Sequence, residues 1–360
     1  MTIIKDSLKL TTDYNKLIEQ YEKGVSLSSA YCSLPRPYEY ANSVDTEEYA
    51  IALKNSKYMT KNGKVKFPII VEAWHVKGKP IMIDDHADKM YEPPVYLQVN
   101  TDKIMNAHKS STLYNNVALR IDDVKTRDDI ITLSTSRTTY FASLLTNRAM
   151  DYHFNDGPTV RQMYEYDFHT PPLRESQLSN HLGVNGIIFT LDDIAVFVNR
   201  NKNVSIGKES YGTGVAGSIK ARYAIDRSLG VCPMTIRAAI MQEIIDEMRL
   251  DPREYSMLNF SIEQNLIAFY RDLVEGGKPQ FLIDCKLPLT FEELSKRISN
   301  QNNTSDDILA DGDQIVGIRK ADLRNATIIP DGISARTITG DVQFLPMMPS
   351  ASASIAMHLQ

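Results

Sequence analysis

The chain has 360 residues, 42% hydrophobic and 24% charged, with a formal net charge of −5. That balance excludes a disordered chain, and the acidic surplus argues against a dedicated nucleic-acid binder, which usually carries excess lysine and arginine. The length allows two ordinary domains or one large one. Cys32, Cys232 and Cys285 are too far apart in sequence for a metal-ligand pair or a disulfide framework. The N-terminus turns charged at Lys5 and Asp6, and no apolar run has membrane-spanning length. The expectation is a soluble, cytoplasmic protein.

In chain order, Leu17, Ile18 and Tyr21 have helical spacing within 13–23, and Pro35 and Pro37 then break the chain. Thr46 can cap a helix running to Met59. A β-rich stretch follows, with strands expected at 67–76, 80–83, 95–99, 116–121 and 128–133. From Thr138 the period changes, and Tyr140, Phe141, Leu144, Leu145 and Arg148 predict an amphipathic helix to about Tyr152. The polar segment from Tyr166 to Ser179, with Pro171 and Pro172, reads as a connection. Residues 1–180 are thus expected to form an N-terminal, β-rich α/β domain.

The second half is patterned more sharply. Strands at 183–190 and 194–200 flank Leu191-Asp192-Asp193 as a hairpin. Gly212, Gly214 and Gly217 punctuate the next strand, where missing side chains allow close approach of another group. A loop from Lys220 to Pro233 precedes a helix from about Met234 to Leu250. Beyond it the pattern predicts strands at 256–262, 266–273, 280–286 and 314–318, and a helix at 290–298 capped by Thr290. The stretch 346–354 is low in complexity and reads as extended or partly mobile. Residues 181–330 make a second domain and 331–360 a C-terminal extension.

The helix carries Gln242-Glu243-Ile244-Ile245-Asp246-Glu247. Glu243, Asp246 and Glu247 stand at i, i+3 and i+4, on one helical face, where like charges repel. Two readings are open: a solvated acidic face, or a site for a hard divalent cation that takes carboxylate oxygens. The seven histidines show no paired ligand spacing, Asp84-Asp85-His86 reads as a polar turn, and no nucleophile elbow, Walker loop or dinucleotide fingerprint is present.

Hairpin, glycine-bearing strand, loop and acidic helix, in that order, resemble a Nudix hydrolase. The signature's final segment, Arg-Glu-apolar-x-Glu-Glu-x-Gly-apolar, is matched by Gln242 to Leu250, with Gln242 for the arginine, Arg249 for the glycine and Asp246 for one glutamate. Met234 stands where an earlier glutamate is usual, and Gly217 best fits the opening glycine. These departures are similar to a branch that hydrolyses UDP-glucose and other UDP-sugars, as are Leu182-Gly183-Val184 and the spacing of Tyr140 with Thr146-Asn147. The resemblance spans roughly 138–323. It implies an α+β fold of Nudix type, an α/β/α sandwich, and hydrolysis of the pyrophosphate in a nucleoside diphosphate derivative. It implies Mg2+ or Mn2+ held by Glu243, Asp246 and Glu247, with Glu243 and Glu247 catalytic. Tyr140, Asn147, Arg148, Arg200 and Gly217 become substrate contacts, and Glu263, Glu292, Asp306 or Asp307 a general base. The expected partner is a small nucleotide, with no nucleic acid, no membrane, and self-association left open. Gln242 cannot form arginine's bidentate ion pair, so the alternative is a catalytically inactive Nudix-fold protein that binds nucleotide or regulates.

Overall fold

The computed structural model describes residues 14–20, 57–60, 63–108, 115–127, 129–155, 157–164, 170–200, 210–301 and 312–360. Residues 14–20 are helical. The helix expected from Thr46 falls mostly outside the described residues, as do Cys32, the Pro35–Pro37 break, Asp306 and Asp307.

β1 (Lys57–Thr60) and β2 (Gly63–Lys66) form a hairpin ahead of β3 (Ile69–Trp74). β4 (Ile81–Met90), β5 (Val117–Arg127) and β6 (Ile130–Thr139) make a small sheet, with β6 central, parallel to β4 and antiparallel to β5. α1 (Tyr140–Leu145) follows at once, its first turn capped by the Thr139 hydroxyl accepting from the Ala142 amide. Next come β7 (Gly183–Phe189), β8 (Ile194–Arg200), β9 (Tyr211–Thr213), β10 (Val215–Ser218), α2 (Ala221–Ala224) and α3 (Pro233–Met248). The rest of the chain gives β11 (Leu266–Asp272), β12 (Lys278–Lys286), α4 (Phe291–Gln301), β13 (Gly312–Arg319), β14 (Thr327–Ile329), β15 (Gly332–Arg336), β16 (Val342–Pro346) and α5 (Pro349–His358).

The main sheet runs β13-β8-β7-β12-β11-β3. Its centre is the parallel pair β7 and β12, and every residue of β7 is buried, as its near-continuous apolar run requires. β7 and β8 pair only beside their turn, at Ile188↔Val196 and Phe189↔Ala195. Further along they part, β10 pairing with β7 and β9 with β8. That divergence brings Gly217 opposite Val184, under α3.

Helices cover both faces. Val184, Ile188, Val196, Phe281 and Ile283 pack against Ile236, Ile240 and Ile244 of α3 and Leu294 and Ile298 of α4. Ile187, Phe189, Phe197, Ala268 and Leu282 pack against Ala353, Ile355 and Ala356 of α5. Burying a large aliphatic or aromatic side chain contributes about 1.5–3 kcal/mol, so both faces are firmly held. The fold is mixed α+β in three layers. β3, from the N-terminal half, forms an edge of this same sheet, and α5, from the last residues, lids one face.

The helix expected from Thr138 to about Tyr152 ends at Leu145, with a 3-10 turn at Asn147–Ala149, and the loop expected from Lys220 to Pro233 holds α2. Three further segments differ from the sequence pattern. Residues 95–99, expected as a strand, are a helix entered from Pro94 that buries Leu97, with Ile104 of the following helix in the same apolar cluster. Residues 256–262, also expected as a strand, lie across two short helices, Pro252–Met257 and Ile262–Asn265. Asp251 decides the first, its carboxylate accepting from the amides of Arg253 and Glu254 while the Glu254 side chain returns to the Asp251 amide. The 346–354 stretch, expected to be extended, enters α5 at Pro349, and its serines and alanines let the helix lie close to the sheet.

Candidate functional site

α3 begins at Pro233, where the missing amide proton costs nothing, and Thr235 accepts from the Cys232 amide at 2.9 Å. It ends at Arg249, held left-handed at φ 52° and ψ 46°. A glycine takes that conformation freely, whereas a side chain costs roughly 1–2 kcal/mol. Arg249 is secured by its guanidinium donating to the Ile298 carbonyl at 2.9 Å and by Arg297 donating to its own carbonyl at 3.2 Å.

The acids do not share one environment. Glu243 is buried, only 6% exposed, while Asp246 and Glu247 are half-buried. Glu243 lies directly over Gly217, and a Cβ built on that glycine would collide with its carboxylate. Lys220, just past the end of β10, extends its ammonium between two of the acids, 3.1 Å from Glu243 Oε2 and 3.4 Å from Asp246 Oδ2. Burial disfavours charge on Lys220, but the two carboxylates outweigh it and raise its pKa. Gln242 donates to the other oxygen of Asp246 at 2.7 Å. Glu247 has interactions of its own.

Among the described residues no group of three or more His, Cys, Asp or Glu stands close enough together to hold a metal ion. The Lys220 ammonium lies against two of the three carboxylates. A cation would have to displace the Lys220 ammonium from both carboxylates.

Of the expected substrate contacts, Gly217 lies with the acids under Glu243, whereas Tyr140, Asn147 and Arg148 form a second group, where the turn between β11 and β12 meets the segment after α1. Asn147 is buried, donating to the Glu275 carbonyl at 2.9 Å and to Asn180 Oδ1 at 3.3 Å, and accepting from the Asn180 amide at 2.8 Å. Arg148 places Nε 3.2 Å from Glu275 Oε1, donates to the Tyr140 hydroxyl at 3.3 Å and lies over that ring at 5.4 Å. Lys278 completes the cluster, 3.2 Å from Glu275 Oε2. Burial pushes the Glu275 pKa up, but Lys278, Arg148 and Arg200 pull it below the ordinary range. Burial dominates at Asp272, and with the Glu275 charge beside it raises that carboxyl to about 6. Arg200 is half-buried at the end of β8.

The two groups lie on opposite faces of β7. Val184, paired with Gly217, packs with α3, whereas Asn185 donates to the Tyr270 hydroxyl on the α5 side. Asp85 is no polar-turn residue; it sits in β4 with both oxygens on the Arg137 guanidinium, at 2.7 and 2.8 Å. Glu292 is paired with Lys296 on the exposed face of α4, and Glu263 is exposed near the start of its short helix.

Sequence reasoning missed Lys220, Glu275, Lys278, Asn180 and His181. Lys220 carried a signal, being the first cation after Gly217. The turn residues carried none, because Glu275-Gly276-Gly277-Lys278 reads as an ordinary surface turn. No protein-family model matches this sequence, and no curated protein matches it.

Proposed function

We propose that this chain is a Nudix-type module that binds a nucleoside diphosphate derivative, a UDP-sugar being the first choice, rather than cleaving it. The observation that carries the reading is Lys220, whose ammonium neutralises Glu243 and Asp246 from within the chain. The Nudix part is supported by the order of hairpin, glycine-bearing strand and acidic helix. It is also supported by Gly217 against Glu243, and by the left-handed turn at Arg249 where the signature carries glycine. Gln242, in the signature's arginine position, is engaged with Asp246. Tyr140 and Arg200 are the proposed nucleotide contacts, since Asn147 is spent on Asn180 and Glu275 and Arg148 on Glu275. The reading keeps the protein cytoplasmic, with no nucleic acid or membrane partner. Among the described residues no helix is long and apolar enough to cross a membrane.

A second reading is the metal-dependent pyrophosphohydrolase. It is favoured by the 29% exposure of the Lys220 side chain, which leaves it a way out toward solvent. Glu243, Asp246 and Glu247 would then hold Mg2+ or Mn2+, which when bound neutralises phosphate charge.

Thermal melts with a panel of nucleoside diphosphate derivatives, run beside coupled phosphate-release assays with magnesium or manganese, separate the two. Ligand-dependent stabilisation without turnover supports the binding module. Metal-dependent turnover that disappears in Glu247→Gln establishes the hydrolase, and neither signal discards both.

A further inference from the structure

β16 is the last strand of the β14-β15-β16 sheet, and among the described residues nothing pairs with its outer edge from Val342 to Leu345. The phase of the ladder fixes which groups point that way. The Thr337 amide donates to the Asp341 carbonyl at 2.9 Å, and the Met347 amide to the Asp331 carbonyl at 2.8 Å. Hydrogen-bonded residues alternate along an antiparallel pair, so Gln343 and Leu345 also turn their main chain toward β15. The amide and carbonyl of Val342 and of Phe344 therefore face outward. Tyr211 bridges the chain at Met347 and closes the edge beyond Pro346.

The side chains leave the same stretch open. Val342 is 70% and Phe344 46% exposed, and Gln343, on the opposite face of the strand, is exposed too. The Phe344 ring lies down across Gly332, where a Cβ would meet it, so the outer face is flat. Natural sheets blunt a free edge with charge or proline. From Val342 to Leu345 there is neither. An uncharged, flat, apolar edge with free donors and acceptors is fitted to take another strand.

We infer that two copies of this chain pair through β16, antiparallel, about a two-fold axis at Gln343, joining their small sheets edge to edge. In that register Val342 stands opposite the partner's Phe344, and each such pair exchanges both of its main-chain hydrogen bonds. The two side chains then cover one another across the strands. A residue on a two-fold axis meets its own copy, so a charge there would repel itself. Gln343 is neutral, and its carboxamide both donates and accepts. The edge is thus complementary to itself in hydrogen bonding, in shape and in lack of charge. The contact rests on one short strand, so the pairing depends on protein concentration. It does not rest on the nucleotide reading, since no residue of β16 belongs to either group of the candidate site.

Sedimentation velocity of the full chain, from about 1 to about 200 μM, tests it, and the mass is expected to double across that range. Val342→Lys combined with Phe344→Lys sets like charges opposite one another across the axis. Both positions are open to solvent, so this variant is expected to stay monomeric throughout with its Tm within about 2 °C of wild type. Gln343→Cys tests the register. Residues opposed at a position without main-chain hydrogen bonds stand about 4.5 Å apart at Cα, which a disulfide can span. Mild oxidation of this variant is expected to give a linked dimer well above the wild-type background. A chain monomeric at every concentration, a dimer that survives the two lysines, or no excess of linked dimer in Gln343→Cys would each overturn the inference, the first leaving the edge to a strand from a different protein.

Discussion

Gly217 and Glu243 occupy one space: the glutamate carboxylate rests where a side chain on residue 217 would begin. The strand is glycine at that point because the helix above it carries a buried acid. Gly217→Ala is expected to destabilise the protein by about 1–3 kcal/mol, the usual cost of overpacking. Glu243→Ala in the same chain should recover part of that loss. A double-mutant cycle from urea melts measures the coupling, and strictly additive effects would show that the two residues do not compete for the space.

Lys220 ties the end of β10 to α3 through two carboxylates. Lys220→Met is expected to cost about 1 kcal/mol at pH 7, since the ammonium is partly solvated and screened. The folded pKa of Lys220 is raised, so its contribution is fully present below the unfolded lysine value and fades as pH climbs through the folded one. Melts at pH 7 and pH 11 should show the gap between wild type and variant closing. Because the ammonium already serves the acids, EDTA is expected to leave the wild-type Tm unchanged.

Arg148 and Glu275 form a buried ion pair, their side chains 11% and 5% exposed. Removing Arg148 leaves the buried Glu275 carboxylate with Lys278 as its close cation. Arg148→Met is therefore expected to cost about 1–3 kcal/mol, more than an exposed arginine would. Chemical denaturation reads it directly, and a loss under 1 kcal/mol would place the pair in effective contact with water.

Asp272 gives a pH signature. Its folded pKa, raised to about 6, exceeds the unfolded value, so the native state binds the extra proton between them. Its contribution to stability therefore falls as pH rises from about 4 to about 6. Asp272→Asn can still accept from the Val274 amide, as the aspartate does at 2.9 Å, but cannot ionise. The stability difference between variant and wild type should grow in the variant's favour across that window. Glu275 acts in the opposite sense below its ordinary range, which confines the Asp272 signal to the upper part.

The β7–β8 hairpin and α3 were legible because their signals are local: two apolar runs flanking Asp192-Asp193 and a long helical period. The acids were legible as a face, but their partner was not. Lys220 meets Glu243 only because β7 and β8 diverge and let β10 in, a long-range pairing with no sequence period. The Glu275 turn was hidden for a related reason. Its charges look solvated until Asn147, Arg148 and Arg161, more than a hundred residues earlier, fold over it, Arg161 donating to the Leu273 and Val274 carbonyls at 2.7 and 2.8 Å. The serines and alanines of 350–356 carry no amphipathic pattern because all sides of α5 are enclosed.

That enclosure sets an order of assembly. Ile187, Phe189, Phe197 and Leu282 belong to strands made long before α5 leaves the ribosome. Until residues 349–358 arrive, one greasy side of the sheet stands open, and β3 waits for β11 before it has a neighbour to pair with. A nascent chain, or one stopped before Pro349, is therefore a natural client for chaperones, and truncation at that point should yield insoluble product while the α3 side is already fully encoded.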